Sequence, residues 1–435
     1  MKASIEQIYQ AMLESTSVTT DSRNCPFGSM FIALKGSSFN GNAFASSALE
    51  KGCAYAVVDE EAYDVKGDDR YLLTDDCLKT LQNLASLHRK RLGTTILGIT
   101  GTNGKTTTKE LTAAVLSQKY DVLYTQGNLN NHIGVPLTLL GLKEEHQIAI
   151  IEMGASHPGD INELVEICQP DYGLITNVGK AHLQGFGSFE GVIRTKCELY
   201  GFLRNRSPKG KVFLNQTNAI LARQAEGLEC LTYGLDEEST VIGRLIECSP
   251  FLKVGWHLKG STSQWTIQTH LIGAYNLENV LSAIRVGIHF QVPEEAIVAA
   301  IEAYVPSNSR SELRKTARNT LIVDAYNANP TSMRAAIDNF HLMDAKNKML
   351  ILGGMRELGA DSQKEHEGII RLLESYQMDD VLLVGEEFMP WKHLFKVFLD
   401  KEALEEAFMK AKPEGKTILL KGSNSVGLGK IAEML

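Results

Sequence analysis

The chain has no basic excess, no paired-cysteine spacing, no long apolar run and no internal repeat or low-complexity tract, and each absence narrows what it can be. Its 44 Lys and Arg stand against 52 Asp and Glu, a formal net charge of -8. A general nucleic-acid binder carries the opposite balance, so no nucleic-acid partner is expected. The seven cysteines, Cys25, Cys53, Cys77, Cys168, Cys197, Cys230 and Cys248, are odd in number and nowhere spaced as CxxC. That argues against a disulfide framework or zinc knuckle and for a reducing compartment. No apolar run reaches spanning length, and the opening "MKASIEQIYQAMLES" lacks the core of a signal peptide. A cytoplasmic protein without a membrane span is expected.

What is present is a chain of 435 residues, too long for one core. The first ninety or so residues mix short strands, "GSMFIAL" and "CAYAVVD", with an amphipathic helix, "CLKTLQNLASLHRKRL". From Thr94 strands and helices alternate. "TTILGIT", "QIAIIEMG" and "YGLITNVG" read as strands; "TTKELTAAVLSQK", "GDINELVEIC" and "EGVIRTKCELYGFL" read as helices. Such alternation implies a mostly parallel sheet flanked by helices. Val241 to Leu271 reads as an antiparallel flap on the same unit, followed by the helices "NLENVLSAIRVGIHF" and "PEEAIVAAIEAYV". "VPSNSR" (305–310) reads as a linker, after which "NTLIVDAY", "NKMLILGG", "DDVLLVGE" and "KTILLKGS" restart the alternation. The expectation is α/β with three domains at 1–92, 93–307 and 308–435: a small α/β N-terminal domain, a central P-loop ATPase-like domain and a Rossmann-like C-terminal domain.

The sharpest local signal is "GITGTNGKTTTKE" (98–110). The strict phosphate-loop pattern G-x-x-x-x-G-K-[ST] fails, because Ile99 stands where its first glycine belongs. What remains is Gly101, Thr102, Asn103, Gly104, Lys105, Thr106 and Thr107 between a strand and a helix. Backbone amides there converge on one spot and favour an anion. Lys105 can reach outer phosphates, and a hydroxyl of Thr106 or Thr107 can hold magnesium.

Around this loop the residues leave alternatives open. Glu152 ends a strand, where ligands bind in open α/β sheets, and reads equally as a magnesium carboxylate or as an ordinary end-of-strand acid. His182 sits in a glycine-rich loop, where function collects, although a lone histidine is more often structural. His157 reads as a turn residue. Lys196 reads from its surroundings as a helix lysine in water. "NLNNHIGVPLTLL" (128–140) says only a loop with free amides running into a helix or strand.

Taken in order, "GTNGKTTT", "NNHIGVPLTLL", "IEMGASHPGDI", "TNVGKAHLQGFGS", "RTKCELY" and "DAYNANPTSM" resemble the Mur ligase family, which builds the peptide of cell-wall precursors. The resemblance covers nearly the whole chain. It implies ATP and two magnesium ions as cofactors, with Lys105 on the β/γ-phosphates, Thr106 and Glu152 on one magnesium and His182 on a second. It implies that Lys196 is carbamylated, which would turn a cation into a carboxylate-like metal ligand. Asn276 and Asn279 match positions near the adenine. Arg310 matches an arginine on ATP phosphates, and Asp324, Tyr326, Asn327 and Asn329 match the segment that closes on the nucleotide. Ser22 and Arg23, in "TDSRNCPFGSMFIALKG", with Asn128 and Asn131, are expected on the UDP substrate. The chain departs from the family pattern at Tyr275, Cys197 and the Asn40–Asn42 turn.

Within the family, "DAYNANPTSM" implies UDP-N-acetylmuramoyl-tripeptide and D-alanyl-D-alanine as substrates, joined through an acyl phosphate by a monomeric enzyme with a hinge at 305–310. The competing readings are the preceding ligase, which adds lysine or diaminopimelate but carries a "DNPR"-like segment absent here, a folate polyglutamate ligase, which lacks "TDSR", and a non-catalytic nucleotide switch, which need not keep Glu152, His182 and Lys196 together.

Overall fold

The computed structural model describes residues 2–306 and 310–435. The described chain builds three sheets. The first holds Val18–Thr19, Met30–Ile32, Tyr55–Val58 and Tyr71–Leu73, all parallel. The helix Cys77–Leu92 leaves it with the predicted ends. Asp76 caps its start by accepting the Lys79 N–H, and Gly93 ends it at φ +68°. Leu81 and Leu84 pack into the N-terminal core while Ala85 packs into the central one, so this helix joins the two.

The central sheet has nine strands, in the order Trp265–Ile272, Phe251–Leu258, Val241–Cys248, Glu229–Gly234, Lys211–Asn215, Tyr172–Ile175, Thr95–Thr100, Ile148–Glu152 and Val122–Tyr124. Seven run parallel. The last of the seven, Val241–Cys248, also opens the predicted antiparallel flap, which it forms with Phe251–Leu258 and Trp265–Ile272 as a continuation of the same sheet. Alternate strand residues feed opposite faces. Leu97, Ile148 and Ile150 meet helices Lys105–Leu116, Leu277–His289 and Glu294–Ala303 on one face. Ile96, Ala149 and Ile151 meet Gly134–Leu139, Asp160–Cys168 and Glu198–Asn205 on the other. Each buried leucine or isoleucine among them contributes about 1.5–3 kcal/mol.

The third sheet runs Glu312–Lys315, Thr320–Asp324, Thr417–Lys421, Lys348–Gly353, Val381–Val384 and Lys396–Phe398, parallel except for its first strand. Leu350 and Leu352 face one core and Met349 and Ile351 the other, so helices cover both sides. The fold class is therefore the one the alternation predicted.

Two readings need correction or limits. The expected single helix over 190–203 is two, Phe189–Lys196 and Glu198–Asn205, broken at Cys197, whose ψ of -2° turns the chain after Lys196. Local apolar spacing is continuous through the break, so only the backbone shows it. Ser307, Asn308 and Ser309 of the predicted linker lie outside the described residues.

Candidate active site

The strand Thr95–Thr100 is flanked by Ile148–Glu152 and Tyr172–Ile175, and chain order reverses across it. Ligands bind at such a switch point, beyond the carboxyl ends of the strands. The segments leaving these three strands are "GTNGK", Glu152 and the loop toward His182. Gly101 (φ +141°) and Gly104 (φ +80°) shape the first. A Cβ on Gly101 would lie 2.0 Å from Thr176 Oγ1, and one on Gly104 would lie 2.5 Å from Asn279 Oδ1. The loop is pinned from outside. Thr102 N–H donates to Asn177 O at 2.9 Å, Asn103 N–H to Asn177 Oδ1 at 3.0 Å, and Thr176 Oγ1 to Asn103 O at 2.6 Å. Helix Lys105–Leu116 opens directly from it, and its first turn of amides has no helical acceptor.

Lys105 Nζ folds over the loop, donating to Gly101 O at 2.8 Å and Thr102 O at 3.1 Å. Burial lowers its pKa to about 8, with Arg310 pushing the same way and Glu152 opposing. Glu152 is 1 % exposed. Its carboxylate accepts Thr106 Oγ1 at 2.9 Å and Asn130 Nδ2 at 2.8 Å. His182 opens a short helix with a left-handed backbone, φ +49°, and the Glu357 carboxylate lies against its Nδ1. Burial lowers the His182 pKa, which Glu357 opposes. Lys196 is 2 % exposed, with Nζ 3.4 Å from Ala155 O and 5.5 Å from the Phe186 ring centre. Burial first, then Lys105, pull its pKa well below that of a free lysine, against Asp160 and Glu198.

The third sheet supplies the opposite wall. Arg310 stacks over Tyr326, 3.8 Å from the ring centre, and its buried Nε has no hydrogen-bond partner among the described residues. Asn329 caps helix Pro330–Leu342 and donates from Nδ2 to Asn103 Oδ1 at 2.7 Å, across to the phosphate loop. Asp324 receives the ammonium of Lys421 at 2.7 Å. Asn279 Nδ2 donates to Asn276 Oδ1 at 2.9 Å, and Thr108 Oγ1 donates to Asn279 Oδ1 at 3.1 Å. Together these walls enclose a cavity of about 840 Å³.

Most predicted residues line this cavity: Gly101, Thr102, Asn103, Gly104, Lys105, Thr107, Asn131, Glu152, His182, Lys196, Asn276, Asn279, Arg310, Asp324, Tyr326, Asn327 and Asn329. Four do not. Thr106 turns its hydroxyl into Glu152 behind the wall. Asn128 lies before the turn and is not on the wall, in contrast to Asn130 and Asn131. Ser22 and Arg23 stand apart on the N-terminal unit, where Arg23 is exposed and holds Asp21 at 2.9 Å. Sequence reasoning missed Asn177, Asn130, Lys421, Glu357 and Lys109. Lys109, 1 % exposed, donates to Thr125 O at 2.6 Å with Nζ 4.0 Å from Glu152 Oε2. In the sequence it looks like one more polar helix residue. A second cavity, about 610 Å³, opens beyond the strand ends of the third sheet and shares Tyr326 with the first.

Profiles of known families match in three segments: a Mur ligase family catalytic domain over 14–89, a Mur ligase middle domain over 99–287, and a Mur ligase glutamate ligase domain over 309–424. The chain is 34% identical over 429 residues to the UDP-N-acetylmuramoyl-tripeptide--D-alanyl-D-alanine ligase of Bacillus subtilis (strain 168), covering 96% of this chain and 92% of that protein. The chain belongs to the Mur ligase family. The Escherichia coli (strain K12) protein of the same name is 33% identical over 436 residues, 96% of this chain and 93% of its own. Among solved structures, MurF from Acinetobacter baumannii superposes with a TM-score of 0.87 at 29% identity, over 100% of this chain and 99% of that one. MurF ligase from Thermotoga maritima in complex with ADP gives 0.83 at 25%, over 97% of both. A folylpolyglutamate synthase from Thermotoga maritima, at 14% identity and a TM-score of 0.58 over 81% of this chain and 93% of that one, shares the fold alone.

The magnesium expectation fits these residues. Glu152 Oε2 and Thr106 Oγ1 are hard oxygens 2.9 Å apart beside the phosphate loop. Among the described residues no three His, Cys, Asp or Glu side chains form a ready cage. Magnesium needs none, because it keeps waters and takes phosphate oxygens. No helix among the described residues is long and apolar enough to cross a membrane.

Proposed function

We propose that this Mur ligase joins D-alanyl-D-alanine to UDP-N-acetylmuramoyl-tripeptide, converting ATP to ADP and phosphate, as a monomer in the cytoplasm. One observation carries the reading: a phosphate loop on the central sheet and a cationic wall on the third sheet, Arg310 and Lys421, share one cavity. The names of the Bacillus subtilis and Escherichia coli relatives support the choice of substrates. The three sheets are read as domains 1–92, 93–307 and 308–435, with Ser22 and Arg23 meeting the UDP end.

The terminal carboxylate of the tripeptide attacks the γ-phosphate and forms an acyl phosphate; the amine of the dipeptide then attacks the acyl carbon and phosphate leaves. The first step calls for in-line placement and neutralised charge. Lys105 and the loop amides hold the β/γ-phosphates, and Arg310 stabilises charge on the transferred group. Thr106 and Glu152 would hold one magnesium, with His182 helping to hold a second, and magnesium supplies charge neutralisation when bound. Lys196 fits a carbamate: burial lowers its pKa, so the amine gives up its proton more readily than a free lysine, which favours its attack on carbon dioxide. Asn276 and Asn279 flank the adenine.

The second step calls for a site closed to water. Closure of the C-terminal unit over the nucleotide would exclude water, and Asn329 already reaches Asn103 of the phosphate loop. The second cavity suits a zwitterionic dipeptide. Arg314, Arg356, Lys401 and Lys430 line it together with Asp400, Glu402 and Glu433.

The test is phosphate release from ATP and magnesium with two substrate pairs. Release with the tripeptide nucleotide and D-alanyl-D-alanine, and a product heavier by that dipeptide, is expected. Release only with the dipeptide nucleotide and lysine or diaminopimelate would move the enzyme one step earlier.

A further inference from the structure

The short turn Ala274–Asn276 of the central unit is tied at each of its residues. The Ala274 N–H donates to Asn339 Oδ1 of the third-sheet unit at 3.3 Å, and Asn276 Nδ2 donates to Ile272 O at 2.9 Å. Between them Tyr275 lays its ring against Gly273, so closely that a Cβ there would lie 2.3 Å from Tyr275 Cε1. The tyrosine hydroxyl crosses to the third-sheet unit and meets Ser311 Oγ at 2.6 Å. Ser311 is 5 % exposed and has a left-handed backbone, φ +54°. Such a conformation is uncommon outside glycine and persists where its surroundings hold it. Directly before Ser311 stands Arg310. Directly after it the strand Glu312–Lys315 pairs Glu312 with Val323, beside the segment that leads to Tyr326.

We propose that Tyr275 is a positioning residue for Arg310, acting through Ser311: its hydroxyl fixes the left-handed turn from which the arginine reaches the phosphate end of the site. A cation is attracted over a range of positions within about 6 Å of a ring centre, so stacking on Tyr326 does not by itself fix the guanidinium. Arg310 Nε has no hydrogen-bond partner among the described residues to add to it. The direction of the side chain is therefore set at its backbone, one residue from Ser311. A misplacement of about 1 Å in such a group can cost about 10²-fold in rate. The same turn carries Asn276, so Tyr275 links the adenine end of the cavity to its phosphate end. The proposal rests on the reading that Arg310 stabilises charge on the transferred group.

Tyr275 is 38 % exposed and Tyr275→Phe keeps the ring, so this change does not threaten the core. Ser311→Gly removes the other hydroxyl while suiting the left-handed backbone. Each should lower kcat about tenfold and leave KM for ATP and for the tripeptide nucleotide within about twofold. In an Arg310→Ala enzyme, Tyr275→Phe should alter kcat by less than about twofold, because the group it positions is gone. Nitrogen-15 spectra of arginine-labelled enzyme without nucleotide give a readout free of turnover. The Arg310 Nε–H signal, identified by its loss in Arg310→Ala, should be shielded by the Tyr326 ring and slow to exchange with water in the native enzyme. It should lose both properties in Tyr275→Phe and in Ser311→Gly. An unchanged signal, a raised KM for ATP at native kcat, or the same loss of kcat with and without Arg310 overturns the proposal. If Arg310→Ala is itself fully active, the reading of Arg310 fails, which is a different result from an inert Tyr275 beside an essential Arg310.

Discussion

Nucleotide binding should weaken with rising pH well before a free lysine would lose its proton. Without nucleotide, Lys105 is buried over the loop carbonyls and its pKa is about 8. A triphosphate placed against it favours the ammonium and restores a pKa near the ordinary ~10.4. The sign follows from that difference. Below pH 8 both forms are charged and affinity is flat. Above it the free enzyme has lost a proton that the complex must regain, so affinity falls by up to about tenfold per unit until the bound lysine titrates too. Between pH 7.5 and 9 the loss should be roughly eightfold, and close to one proton should be taken up at pH 9. Calorimetry with a non-hydrolysable ATP analogue and magnesium, in two buffers of different ionisation enthalpy, measures both quantities. Lys105→Arg, charged at every pH used, should bind without this slope. Lys105→Ala should lose about 10²–10³ in turnover, the scale of one lost transition-state donor. Equal affinities at pH 7.5 and 9 with no proton uptake would refute the account of Lys105.

Gly104→Ala places a methyl in a left-handed backbone and 2.5 Å from Asn279 Oδ1. It should cost about 1–2 kcal/mol before any displacement of Asn279 and raise the analogue's Kd at least about tenfold; an unchanged Kd would remove the loop's shape from the argument. Lys421→Met strands Asp324 and should destabilise by about 3 kcal/mol in urea unfolding, with Asp324→Asn in the same chain recovering part of it. A loss below ~0.5 kcal/mol would show the pair to be solvated. Lys196→Ala should be inactive and partly rescued by added short carboxylates, whereas absence of rescue would leave the carbamate without support.

Much of this protein was readable before any coordinates. The helix Cys77–Leu92 has the predicted bounds because a capping aspartate, an apolar stripe and a terminal glycine are all local. The strand Thr95–Thr100 and the glycines after it are local too, as is the order of motifs that resembles the Mur ligases. Distant pairings were hidden. The meeting of Thr106 with Glu152, 46 positions away, was legible only through the family resemblance and not from anything local. Nothing local marks Lys109 and Lys421 as buried, because burial depends on what packs over them. Glu357 carried no signal at all, because its partner His182 belongs to another sheet. Periodicity and turn chemistry determine each element and its buried face. Which carboxyl ends converge on one cavity depends on strand order and domain docking, and only long-range packing decides those.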